Sequence, residues 1–156
     1  MFNNLEKVLD LASKCDFYLI GGEKTDSVIK KAEELLGFKL SNQTYVYLKK
    51  VGFLNFFGNE IYGIVKDDFS GIPEGCAVEY ALHEREKTML PKDWLPIYNF
   101  DDGNMGYLDY SQLNAEGEPP VIMAIYNGKE YVVVERVSDD LADFILQLVE
   151  IQLTKQ

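Results

Sequence analysis

At Gly52 the hydrophobic period of this chain changes, and that change limits its fold more than any other feature. Before it, apolar residues recur at helical spacing. Leu5, Val8, Leu9 and Ala12 predict a short amphipathic helix over about 3–15. Thr25 suits the N-cap of a second helix, with an apolar face of Val28, Ile29, Ala32, Leu35 and Leu36. Lys30, Lys31, Glu33 and Glu34 take its wet side, and Gly37 stops it. Leu40-Ser41 reads as a hydrophobic residue before an N-cap, so a third helix over about 42–51 buries Tyr45 and Leu48 and ends at Gly52.

Beyond Gly52 the segments are short, aromatic and β-branched. Phe53 to Phe57 and Ile61 to Val65 flank Gly58-Asn59. A polar loop over 66–75 precedes a helix over about 76–88, with Pro91 just past it. The segments 95–100 and 105–110 flank Asp101-Asp102-Gly103-Asn104, a turn composition. The segments 121–126 and 129–137 flank Asn127-Gly128, the strongest short-range hairpin signal. Ser138 is positioned to cap a last helix, with Asp139 and Asp140 in its first turn and Leu141, Phe144, Ile145 and Leu148 as its apolar face. Hairpin-linked strands and segregated helices predict an α+β fold. The expected form is an antiparallel sheet of five or six strands, helices mainly on one face, N-terminal helices and a C-terminal helix. Residues 1–156 form one domain in this reading, because no repeat or linker divides them.

Charge narrows the partners. The net charge is −11. Residues 1–52 carry 8 lysines against 7 carboxylates, while residues 53–156 carry 7 basic against 19 acidic side chains. Direct nucleic-acid binding and an anionic membrane are disfavoured, since both are polyanions; a basic protein suits better. Cys15 and Cys76 lie far apart, and His83 is the single histidine, so neither a disulfide framework nor a zinc site is expected. The thiols read as reduced, in a cytoplasmic setting. The start MFNNLEKVLDLASK lacks the basic-then-apolar pattern of a signal peptide.

Few residues suggest chemistry. His83 lies in a charged helical stretch with no nucleophile in view. Ile20-Gly21-Gly22-Glu23 lacks the lysine and hydroxyl of a phosphate loop. The run from Asp101 to Asp109 fails as a calcium loop, because Gly106 and Tyr107 stand where an oxygen ligand and glycine are needed. No catalytic residue, metal or cofactor is expected. The loop holding Asp67, Asp68, Phe69 and Glu74 pairs carboxylates with an aromatic, a combination suited to an interface. Phe69 either anchors a partner or tucks into the core.

The order of motifs resembles the SUKH superfamily. The run from Val28 to Leu40, followed by Tyr45 to Gly52, is similar to its opening two-helix signature. Glu60-Ile61-Tyr62-Gly63 resembles its first sheet segment. Trp94 to Asn104 resembles its strand-turn-strand, with Tyr107-Leu108-Asp109 after it. Pro120-Val121 begins a hairpin, and Ser138 to Leu148 is similar to its closing helix. The likeness spans about 25–150. Ser41 replaces a usual proline, Phe53 a glycine or asparagine, and Asn104 a turn glycine; none is a core position.

The resemblance implies an immunity protein of a bacterial polymorphic toxin system, which binds and blocks a cognate toxin, commonly a nuclease with a basic surface. The acidic residues expected to meet it are Asp67, Asp68, Glu74, Asp101, Asp102, Asp109, Glu116 and Glu118, with Phe69, Tyr107 and Tyr110 as anchors. The alternative is a regulatory protein-binding module like the fungal cell-wall regulator of the same superfamily. An enzyme is a third reading, with no paired catalytic geometry behind it.

Overall fold

A computed structural model describes residues 2–71 and 75–155. The helical N-terminal third forms where local signals place it. Helix α1 (Phe2–Ala12) buries Leu5, Val8, Leu9 and Ala12. It ends three residues earlier than its pattern suggests, because the amides of Lys14 and Cys15 turn back to Leu11 and Ala12 in tighter turns. Helix α2 (Asp26–Leu36) starts at Thr25, whose hydroxyl accepts from Val28 N, and stops at Gly37 in the left-handed region. Helix α3 (Asn42–Val51) starts at Ser41 and stops at Gly52. It buries Gln43, Thr44, Tyr47, Leu48 and Val51, while Tyr45 stays half-buried.

The strands are antiparallel, as expected, and form two sheets among the described residues. The first runs β1 (Leu19–Ile20), β2 (Leu54–Phe56), β3 (Asn59–Ile61). Strand β1 was not legible in the sequence. The β2–β3 turn is Phe57-Gly58, one residue earlier than Gly58-Asn59, since Phe56 pairs with Asn59. The second sheet runs β4 (Trp94–Asp101), β5 (Asn104–Asp109), β6 (Val121–Tyr126), β7 (Tyr131–Ser138). Tyr62 N donates to Ile97 O at 2.8 Å and joins the two sheets. The Tyr47 hydroxyl donates to the carbonyls of Ile61 and Tyr62 and ties α3 to the same junction.

Helix α4 (Ala77–Thr88) packs on β4 and α2. Helix α5 (Leu141–Lys155) packs on α1, α3 and β7. Its N-cap is Asp140, whose Oδ1 accepts from Asp143 N at 2.8 Å. Ser138, read as the cap, is still in β7, paired with Val121. Close packing at the first sheet depends on Gly63: a Cβ there would lie 1.9 Å from the carbonyl oxygen of Gly52. No described helix is long and apolar enough to cross a membrane.

Candidate functional site

The β4–β5 turn organises the surface. Its two strands need a sharp reversal, and Asp101, Asp102 and Gly103 all adopt positive φ to make it. Aspartate tolerates that region better than most residues. The side chain of Asn99 accepts from Asp101 N at 2.8 Å, and the ladder slips one residue between Asn99 and Asp101. The slip and the tight reversal leave Asp101 and Asp102 exposed at the tip.

Two clefts meet at this turn. One, of about 310 Å³, lies between α4 and the second sheet. Tyr80, Tyr107, Tyr126 and Tyr131 wall it, and Glu84, Asp101 and Asp102 supply its carboxylates. The other, of about 350 Å³, is bounded by Phe57, Asn59, Glu60, Tyr62 and Tyr98. Asn99 and Asp101 line both. Among the described residues, no lysine or arginine lines either cleft. A low-dielectric wall beside uncompensated carboxylates focuses negative potential into the concavity. The rim is also where backbone strain collects. Six described non-glycine residues have positive φ, and four of them, Phe17, Phe57, Asp101 and Asp102, lie at this turn or beside the second cleft.

The sequence-chosen residues fall into separate places. Asp101, Asp102 and Tyr107 share the first cleft, although Tyr107 is otherwise buried against Trp94. Asp67 is ion-paired to Lys24 at 2.9 Å, which offsets its charge. Asp68 accepts from the hydroxyl and amide of Ser70, and the hydroxyl bond first of all holds its carboxyl below the usual range. Phe69 is half-buried and packs on the core. Glu74 lies outside the described residues. Glu116 is exposed on a turn built by Asn114.

Three further choices act inside the molecule. Asp109 is buried and accepts from Ser111 N, Ser111 Oγ and Gln112 Nε2. Glu118 is 4% exposed and accepts from Gln43 N in the first turn of α3. Burial raises its carboxyl above the usual range. The Tyr110 hydroxyl accepts from Ser41 N and donates to Thr44 Oγ1, and its ring packs on Phe38. Glu118 and Tyr110 thus hold the N-terminus of α3, and Asp109 holds the turn after β5.

Exposed His83 on α4 has its Nδ1 3.1 Å from Glu84 Oε2. Cys76 is buried, and burial with Glu79 beside it pushes its thiol up to about 11, so little thiolate forms near neutrality. No described cluster of histidine, cysteine and carboxylates could hold a metal ion.

A family model described as SUKH_6, SMI1-KNR4 cell-wall, matches residues 26–145. The chain belongs to the SUKH family. The match covers both cap-delimited helices, both sheets except β1, and the start of the closing helix of this SUKH domain. No curated protein shows detectable similarity to it. Membership fits an immunity-protein role or an SMI1-KNR4-like protein-binding role. Sequence reasoning missed Phe17, Phe57, Glu60, Glu84, Tyr80, Tyr126 and Tyr131 as rim residues. One signal was readable: an aromatic before glycine in a two-residue hairpin turn, where asparagine or aspartate is usual.

Proposed function

We propose that this SUKH domain binds and neutralises a cognate bacterial toxin domain, a nuclease whose basic active-site surface docks on the Asp101 rim. The observation that carries the reading is the pair of clefts meeting at Asp101, with carboxylates on both sides and, among the described residues, no cation lining either. A nuclease needs a cationic groove for phosphates. A rigid carboxylate rim competes for that groove, speeds encounter through its field, and occludes the site once seated. Binding and exclusion suffice, with no catalytic group from this chain.

The second reading is a regulatory protein-binding module of the cell-wall type, favoured by the description of the matching family. Coexpression separates the two. The chain is produced with the C-terminal domain of a toxin encoded beside its gene, and growth and copurification are scored. Rescue together with a stable complex supports neutralisation. Toxicity that persists with both proteins soluble and unbound removes it and leaves the regulatory reading.

A further inference from the structure

We propose that Phe17 and Phe57 are the apolar anchor of the docking surface, taking a basic partner segment that carries an aliphatic side chain next to a lysine or arginine. This deepens the protein-binding reading and rests on it. Phe17 is 81% exposed and Phe57 37%, and their rings meet edge-on at 6.3 Å. Leu19, two residues on, is also exposed. Scattered exposed apolar side chains are ordinary on a protein surface. Two phenylalanines gathered into one exposed pair are not explained by core packing.

The backbone makes the case sharper. Phe17 has φ +60° and Phe57 φ +50°, a region that bulky L-residues rarely adopt. Phe57-Gly58 is the two-residue link between β2 and β3, with positive φ at both positions. That link prefers asparagine, aspartate or glycine first. Phenylalanine therefore opposes the hairpin's own conformational preference while leaving its ring partly in water. The two loops are locked together, because Phe57 N donates to Asp16 O at 2.8 Å. Strain held by surrounding structure at an exposed aromatic is a mark of a functional position.

Continuity and charge select the occupant. Phe57 is a wall of the cleft that also holds Glu60 and Asp101. Exposed Asp16 precedes Phe17. An apolar ring beside carboxylates, with no cation among the described residues lining the cleft, matches a segment with aliphatic and basic side chains adjacent. In such an interface the carboxylates set the rate of encounter and the buried ring sets the lifetime of the complex.

The test uses the double variant Phe17→Gly, Phe57→Asn, which relieves both left-handed strains. Its melting temperature is expected to rise by about 2–4 °C. Short random peptides displayed on phage are selected on the wild-type chain. Enriched peptides are expected to pair an aliphatic residue with arginine or lysine. They should bind the double variant about tenfold more weakly or worse. A double variant that melts below wild type removes the strain argument. Peptides that bind both proteins equally remove the anchor. A wild-type dimer that the double variant dissociates makes a second copy the occupant and overturns the basic-segment proposal. None of these readouts contains a toxin, so failure of growth rescue and failure of this proposal are separable.

Discussion

Replacing Gln43 with leucine should destabilise the fold by about 1–3 kcal/mol without touching the rim. Gln43 is 2% exposed and stitches three elements. Its amide donates to Glu118 Oε2, its side-chain Nε2 donates to Asp140 Oδ2 at 3.2 Å, and its Oε1 accepts from Ala142 N at 2.9 Å. Leucine keeps the first contact and removes the other two. The Ala142 amide is then a buried donor in the first turn of α5 with no acceptor, which costs about 1–3 kcal/mol. The bond to Asp140 is worth less than a buried charged bond, because half-exposed Asp140 can turn to water. Leucine recovers about 1 kcal/mol by burying apolar surface. The balance corresponds to a fall of about 2–10 °C in melting temperature for a chain of this size. Thermal and urea unfolding by circular dichroism measure it, with the urea slope unchanged if the native state stays compact. Gln43→Glu is the informative companion. It keeps an acceptor for Ala142 but sets a third carboxylate beside Glu118 and Asp140, so its deficit should be larger at pH 7 and shrink on acidification. A Gln43→Leu protein melting within about 1 °C of wild type would refute the idea that this side chain joins α3 to α5.

Glu118→Gln should gain stability over wild type as pH rises above the ordinary carboxylate range. Its folded pKa is raised, so the native state binds the proton more tightly than the unfolded chain, and stability is lost between the unfolded and folded values as pH climbs. Urea midpoints of both proteins at about pH 4.5 and pH 7 test this; a difference that stays constant refutes it. Gly63→Ala should cost more than about 3 kcal/mol or prevent folding, because the new Cβ meets a backbone carbonyl rather than a movable side chain; soluble yield and circular dichroism decide. Charge reversal of Asp101 and Asp102 to lysine should slow association with a basic toxin domain by roughly tenfold at low salt and flatten its salt dependence, with a modest fall in melting temperature because lysine tolerates the positive φ of both positions less well than aspartate. Stopped-flow rates at several ionic strengths check it, and equal rates would remove steering from the mechanism.

What the sequence disclosed was what is local. Thr25, Gly37, Ser41 and Gly52 delimit their helices because a cap is a contact between near neighbours, visible in residue type and spacing. Asn127-Gly128 marked a true hairpin, but the strands close around four residues, since the Asn127 side chain captures the amides of Lys129 and Glu130. Longer-range facts stayed hidden. Strand β1 is two residues long and exists only because Leu54 and Asn55 pair with it. Acidic residues after Gly52 could not be sorted from sequence, because exposure depends on which helix end or turn each one meets. Asp109 looked like part of an acidic turn and is an internal acceptor; Glu60 and Glu84 were not singled out as binding residues and line the clefts.

That sorting follows one physical rule. A carboxylate near a helix N-terminus or a tight turn finds unpaired amides and becomes their acceptor, as Glu118 does for α3, Asp140 for α5 and Asp109 for the turn after β5. Its charge is then committed to the fold, and substitution changes stability. A carboxylate at a hairpin tip or on a strand edge meets no such donors. Asp101, Asp102 and Glu60 make no side-chain hydrogen bond among the described residues, so their field extends into solvent. The same reasoning applies to the aromatics: Tyr107 and Tyr110 are held by the core and by α3, whereas Phe17 and Phe57 are held by strained backbone and face water. Stability and recognition therefore draw on different members of the same residue types. Substitution of the rim phenylalanines by residues that favour positive φ should change binding with stability level or raised, and substitutions at the capping acids should change stability with binding level.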